Sequence, residues 1–157
     1  MKKLIVALSV FASLHATTSF SAGHEGHDHG MNNQGGSHAG NAAYNQVIDG
    51  IKATFKVETM AEAMKSMGME MPKGIDETHH VSVEFRDVKS NALITEGNVK
   101  LKVQNPENND QVRELMAMHG HFGADFIMKS KGRYGVMCKF KLKDGKVRIA
   151  KFWYLVK

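Results

Sequence analysis

Hydrophobic and polar residues alternate with a period of two along much of the chain after about residue 43. Such alternation is typical of β-strands that turn one face to a core. In IKATFKV (51–57), for example, Ile51, Ala53 and Phe55 share one face. The same pattern predicts strands in HHVSVEF (79–85), NVKLKVQ (98–104), HFGADFIM (121–128), RYGVMCKFKL (133–142) and VRIAKFWYLV (147–156), with a short one at 92–95.

Turn and helix signals complete the predicted fold. The last two strands are joined by KDGK (143–146), whose Asp-Gly pair is a strong hairpin signal. Helical spacing predicts a helix over 59–71, begun by a capping box of Thr59 and Glu62, and a second helix candidate at 107–117. Because helices do not alternate with the strands, the fold class is all-β: an immunoglobulin-like β-sandwich of about six to seven strands with one short Met-rich helix.

The N-terminus has the pattern of a secretory signal peptide over residues 1–22. Lys2 and Lys3 precede a short apolar run, LIVALSVFASL (4–14), and small polar residues follow, with cleavage expected after Ser21 or Ala22. The apolar run is too short to span a membrane. We therefore expect a soluble periplasmic protein of one domain, residues 43–157, with no membrane anchor.

Residues 23–42 form a His- and Gly-rich segment, GHEGHDHGMNNQGGSHAGNA, between the signal and the domain. Apart from Met31 it has no aliphatic side chain larger than Ala, so it cannot bury enough surface to fold and is predicted to be a disordered tail. Histidine at this density favours loose binding of Cu(II), Zn or Ni, and a solubilising linker is the alternative. Its histidines are His24, His27, His29 and His38.

The charge and the cysteine content argue against nucleic-acid binding and against a disulfide-stabilised fold. The formal net charge of +5 falls to +3 when Lys2 and Lys3 leave with the signal peptide, and the remaining lysines form no basic block. Binding of nucleic acid is therefore not expected. The single cysteine, Cys138, cannot form an internal disulfide, and its alternation with Val136 and Phe140 predicts a buried thiol.

Methionine replaces branched aliphatic residues in the predicted helix and just after it. At helical spacing Met60, Met64, Met67 and Met71 share one face, and Met67, Met69 and Met71 form an M-x-M-x-M run. Packing in a core is one explanation, because methionine fills irregular gaps. The other is Cu(I) binding, because the thioether is a soft ligand that resists loss to disulfides in an oxidising compartment. The methionines are Met60, Met64, Met67, Met69 and Met71.

A second cluster, Met116, Met118, His119 and His121, precedes the predicted strand at 121–128. If that strand extends back, the H-x-H spacing places His119 and His121 on one face, where both imidazoles could reach one ion. His79 and His80 open another predicted strand. Adjacent strand residues face opposite sides, so we expect only one of that pair at a shared site.

Several segments together resemble the YtkA-like family of exported proteins. They are THHVSVEFRD, VKLKVQNPENN, ELMAMHGHFGADFIMKSKGRYGVMCKFKL and KFWYLV, which cover roughly residues 50–157. The most specific part is HFGADF followed by KGRY within 121–134. The resemblance implies an immunoglobulin-type sandwich and a role with periplasmic copper or another transition metal. It implies no ligand set.

The sequence thus predicts a periplasmic copper-binding protein, holding Cu(I), Cu(II) or both, that buffers or delivers the ion without catalysis. Its partners would be the metal ion and another periplasmic or membrane metal-transport protein. Two alternatives stay open: a zinc, nickel or iron carrier that uses the histidines, and a protein-interaction module with an adaptable methionine surface that acts without metal. No phosphate-binding loop or nucleophile–base arrangement points to an enzyme.

Overall fold

The computed structural model describes residues 42–157. The predicted signal peptide and the tail up to residue 41 lie outside the described residues. From Tyr44 onward the chain forms ten β-strands and one short helix.

Six strands form the first antiparallel sheet: β1 (Tyr44–Ile48), β2 (Ile51–Thr59), β3 (His79–Asp87), β4 (Leu93–Ile94), β7 (Met116–Met118) and β8 (His121–Phe126). Their order is β1-β2-β3-β8-β7, with β4 also paired to β3. Four strands form the second antiparallel sheet, in the order β10-β9-β5-β6: β5 (Gly97–Gln104), β6 (Asp110–Glu114), β9 (Gly132–Leu142) and β10 (Val147–Val156). The predicted all-β sandwich is confirmed.

One face of each sheet supplies the core, as the period of two requires. Phe55 and Phe122 from the first sheet and Leu101 from the second are almost fully buried. Rings from the two sheets meet directly, since Phe85 and Phe140 lie with centroids 4.4 Å apart. Cys138 belongs to this core, and burial raises the pKa of its thiol to about 12. The predicted buried cysteine is confirmed.

Three strands were not predicted from the alternation. β1 pairs with β2 through a tight turn in which Asp49 and Gly50 both have positive φ, 47° and 78°. This is an Asp-Gly hairpin like the confirmed one between β9 and β10. The helix candidate at 107–117 is wrong, because that segment forms β6 against β5 and then β7 against β8.

The methionine helix, α1 (Met60–Ser66), is shorter than the predicted 59–71. Its start is as predicted: Thr59 and Glu62 form a reciprocal capping box. Its end comes earlier because Gly68 adopts φ 68°, a left-handed conformation that stops a helix and suits glycine. Met69 and Met71 therefore lie beyond the helix, and the predicted four-methionine helical face is wrong at its C-terminal end.

Candidate metal centre

The outer face of the first sheet carries the histidines of interest. In the register of β2, β3 and β8, His80 lies between Glu58 on one neighbour and Asp125 on the other. The inward residues of these strands, such as Val81 and Phe126, are buried in the core. Alternation therefore places His80, Glu58 and Asp125 together on the side away from the core.

Asp125 fixes the orientation of the His80 ring. Nδ1 of His80 lies 2.7 Å from Oδ1 of Asp125, with the His80 side chain largely buried and the Asp125 side chain partly exposed. A carboxylate at this distance accepts a hydrogen bond from the Nδ1–H group, which leaves Nε2 as the nitrogen with a free lone pair. This is the carboxylate–histidine arrangement that commonly supports a metal-bound imidazole.

Gly123 makes room for that nitrogen. A Cβ atom at Gly123 would lie only 2.6 Å from Nε2 of His80 and 3.7 Å from the methyl carbon of Met118. The His80 ring and the end of the Met118 side chain therefore lie near the same backbone position. A side chain at residue 123 would occupy the space between them.

His121 approaches the same place from the end of β8. Its ring centroid is 6.4 Å from that of His80, and the ring planes are nearly perpendicular at 84°. Two imidazoles on one ion, each bonded at about 2.0–2.1 Å, bring their ring centres to roughly 6 Å or less, so the observed separation of the two rings is close to that range. Met118 is the register partner of His121 across β7 and β8.

The electrostatic environment favours a neutral His121. Partial burial lowers the pKa of His121 most, and the neighbouring His80, His119 and Lys56 lower that pKa further, while the carboxylate of Glu58 raises it. Only the neutral imidazole has a lone pair to give to a metal. The same surroundings that disfavour imidazolium thus leave His121 ready to act as a ligand.

His119 does not join His121 on a strand face. It occupies the two-residue turn between β7 and β8, with φ 43°, followed by Gly120 at φ 91°. The expectation that the strand extends back through His119 is wrong, because the chain reverses there. Two successive positive φ angles match the type I′ turn that two-residue hairpins prefer.

His79 faces the other side of the sheet. It is buried, its Nδ1 lies 2.9 Å from Oγ1 of Thr78, and its ring meets Tyr154 edge-on. Burial lowers the pKa of His79. Adjacent His79 and His80 thus point to opposite layers, and His80 alone is on the face of the candidate site.

The remaining predicted ligands are distributed differently. Met60 is buried at the start of α1, whereas Met67, Met69 and Met71 are about half exposed beyond its last residue. Met116 is 68% exposed on the edge strand β7. The tail histidines His24, His27, His29 and His38 lie outside the described residues.

Within residues 42–157, no group of three His, Cys, Asp or Glu side chains is placed to hold a metal ion. If His80 and His121 share an ion, a further protein donor would therefore be of another kind, and the thioether of Met118 is near both residues. Two imidazoles and a thioether form a donor set of intermediate softness.

Sequence reasoning missed Asp125 and Gly123. Both are visible in HFGADF, but their roles depend on the pairing of β3 with β8, which joins residues 45 positions apart. Alternation alone did signal that residues 121, 123 and 125 share a face. Alternation could not show that β3 is the strand that pairs with β8.

Comparison with known proteins identifies similar folds but assigns the chain to no family. No known family profile matches the chain, and no curated protein sequence is significantly similar to it. Membership of the YtkA-like family therefore stays a prediction.

Solved structures do share the fold. A DUF4426 family protein from Pseudomonas aeruginosa matches with a TM-score of 0.52 at 11% identity, covering 72% of this chain and 93% of that protein. A copper-bound variant of the Campylobacter jejuni protein P19 matches with a TM-score of 0.53 at 13% identity, covering 74% of this chain and 96% of that protein. At such identities the likeness establishes the sandwich fold alone. In residues 42–157 no helix is long and apolar enough to cross a membrane.

Proposed function

We propose that this chain is a periplasmic copper-binding protein that buffers or delivers the ion and catalyses no reaction. One observation carries the proposal: the His80 ring, oriented by Asp125 through Nδ1, and the end of the Met118 side chain both lie within 4 Å of the place a Cβ of residue 123 would take, with the His121 ring 6.4 Å from that of His80. These residues, His80, Met118 and His121, are named here the outer-face site.

The donor types favour copper over the alternative metals. Imidazole suits zinc, copper, nickel and iron alike, whereas a thioether is soft and favours Cu(I). A site with two imidazoles and one thioether offers acceptable ligands to both oxidation states of copper. A zinc site would more commonly draw its further ligands from Cys, Asp or Glu.

The position of the site suits a carrier. It lies on a sheet surface beside the short edge strand β7, where Met116 is largely exposed. A partner protein could approach this edge and exchange ligands with the ion. The copper-bound state of the P19 variant, which shares the sandwich fold, lends support to copper as the cargo.

Export and the tail complete the proposal. The predicted signal peptide would direct the chain to the periplasm, where a thioether keeps its binding capacity better than a thiol. The predicted tail would capture ions loosely through its four histidines and raise their concentration near the outer-face site.

Copper titration of the chain without residues 1–22 tests the proposal. We expect the variant His80→Ala/His121→Ala/Met118→Leu to lose one tight equivalent of copper against a competing chelator, while the weaker equivalents of the tail remain. Electron paramagnetic resonance of the Cu(II) form should show nitrogen coupling from two imidazoles that the variant lacks. An unchanged tight equivalent would contradict the site, and preference for Zn over copper would support the zinc alternative.

A further inference from the structure

The methionines at the end of α1 are exposed in a way that packing does not explain. Met67 and Met69 are each 51% exposed and Met71 is 47% exposed. Met60, on the first turn of the same helix, is 4% exposed and does pack. Half-exposed methionine buries little apolar surface, so this group contributes little to the core.

The helix ends in a Schellman motif, whose backbone hydrogen bonds join Met69 to Met64. The N–H of Met69 donates to the carbonyl of Met64 at 2.9 Å, and the N–H of Gly68 donates to that of Lys65 at 3.1 Å. In this motif the side chains of the two outer residues commonly touch. Here those residues are Met64 and Met69, so the backbone motif places two thioether-bearing residues at the positions where such contacts form.

Met67 stands between them at the C-cap. Its N–H is shared by the carbonyls of Ala63 and Met64, which holds its backbone on the last turn. Three unbranched side chains with three rotatable bonds each thus start from one compact turn. Met71 follows two residues after Met69.

The geometry points to a Cu(I) site made of Met64, Met67 and Met69, with Met71 as a further donor; we name it the helix-end site. Three neutral thioethers suit a soft monovalent ion and have no proton to lose, so binding there is independent of ligand protonation. A hard or borderline divalent ion finds no imidazole or carboxylate among these donors. The site is therefore selective for the reduced form of the metal.

This inference rests on the proposed copper role and adds that two separate sites bind different oxidation states of the metal. The outer-face site, with two imidazoles, holds copper in either oxidation state, and the helix-end site holds Cu(I) alone. Because Met67, Met69 and Met71 are about half exposed, the helix-end site can pass Cu(I) to a partner by stepwise exchange of ligands. No electron transfer is required between the two sites.

Silver(I) is the probe, because it is a soft monovalent ion without redox chemistry under these conditions. The chain lacking residues 1–22 is labelled with carbon-13 at the methionine methyl groups and titrated with silver(I). We expect the methyl signals of Met64, Met67 and Met69 to shift together, and the variant Met64→Leu/Met67→Leu/Met69→Leu to lose one equivalent of silver(I). Such volume-conserving changes typically cost less than about 1.5 kcal/mol each, so the fold should persist.

Two control variants make the result specific. Met137→Leu changes a half-buried methionine on the second sheet and should leave silver(I) binding unchanged. His80→Ala/His121→Ala should leave the helix-end shifts intact, so that failure of the outer-face site is distinguishable from failure of this one. If the three methyl signals do not move, or the triple leucine variant keeps its full equivalents, the methionines serve only as the apolar contact of the Schellman motif and the inference is overturned.

Discussion

His80 and Asp125 face each other across β3 and β8, with Nδ1 and Oδ1 2.7 Å apart. The pair joins residues distant in sequence on the outer face of the first sheet. It fixes both the tautomer and the direction of one imidazole before any metal arrives. A ligand ordered in advance binds with a smaller entropy cost than one in a flexible tail.

Replacement Asp125→Asn should weaken copper binding at the outer-face site. The amide keeps the size of the side chain but loses the charge that holds the Nδ1 proton of His80. Changes of this kind typically cost about 10–100-fold in metal affinity. Competition titration against a copper chelator measures the effect. Asp76→Asn is the matched control, because Asp76 pairs with Lys129 on the surface and not with a histidine; equal losses in both variants would argue against an orienting role.

Replacement Gly123→Ala should damage the site while sparing the fold. The new methyl group would lie 2.6 Å from Nε2 of His80, so the ring must move. Gly123 has no positive φ, and alanine in a strand is favoured over glycine by roughly 0.5–1 kcal/mol. Thermal unfolding should therefore change little while copper affinity falls.

Gly135→Ala is the control for that experiment. Gly135 lies in β9, where a Cβ atom would meet the Trp153 ring at 3.2 Å, with no histidine nearby. This variant should keep full copper affinity. If Gly123→Ala also kept it, the space above residue 123 would not belong to a metal site.

The two histidines of the H-x-H motif should behave differently. His119→Asn places the residue most favoured at the first position of a type I′ turn before Gly120, so stability should stay equal or rise. Copper affinity should change little, because His119 lies in the turn. His121→Asn should lower that affinity markedly. Isothermal titration of both variants decides the matter, and equal losses would restore the predicted H-x-H pair.

The fold was predictable from sequence where alternation is long and regular. Ile51, Ala53 and Phe55 fill the core as expected, and the Asp-Gly turn between β9 and β10 is where the pattern placed it. Short strands were not predictable in the same way. β6 and β7 have only five and three residues and are mostly exposed. Neither strand has a buried face, so hydrophobic and polar residues do not alternate in their sequences.

The candidate site was predictable only in its residue types. His80, His121 and Met118 come from three strands, and only the register of β3, β8 and β7 shows that they meet. Strand pairing between distant segments is a tertiary property, so local pattern cannot reveal it. The end of α1 was missed for a local reason: methionine spacing continued past Gly68, but the glycine conformation ended the helix.

A pH-dependent contribution to stability should come from Asp144 and Arg148. The guanidinium of Arg148 is buried, and its Nη1 donates to Oδ1 of Asp144 at 3.0 Å. This hydrogen bond lowers the pKa of Asp144 to about 2, below the ordinary value of about 3.9. A carboxyl whose pKa is depressed by folding stabilises the folded state fully above its unfolded pKa, and loses that contribution as the pH falls through the folded pKa.

The difference in free energy of unfolding between the unmodified chain and Asp144→Asn should therefore be largest above about pH 4 and shrink towards pH 2. Urea unfolding followed by Trp153 fluorescence over this range provides the measurement. The control is Glu107→Gln, which removes one exposed negative charge far along the chain from Arg148. Its free energy of unfolding should differ from that of the unmodified chain by an amount that does not change comparably with pH. A difference for Asp144→Asn that stays constant from neutral pH to pH 2 would mean that Arg148 does not hold the carboxylate in its charged form.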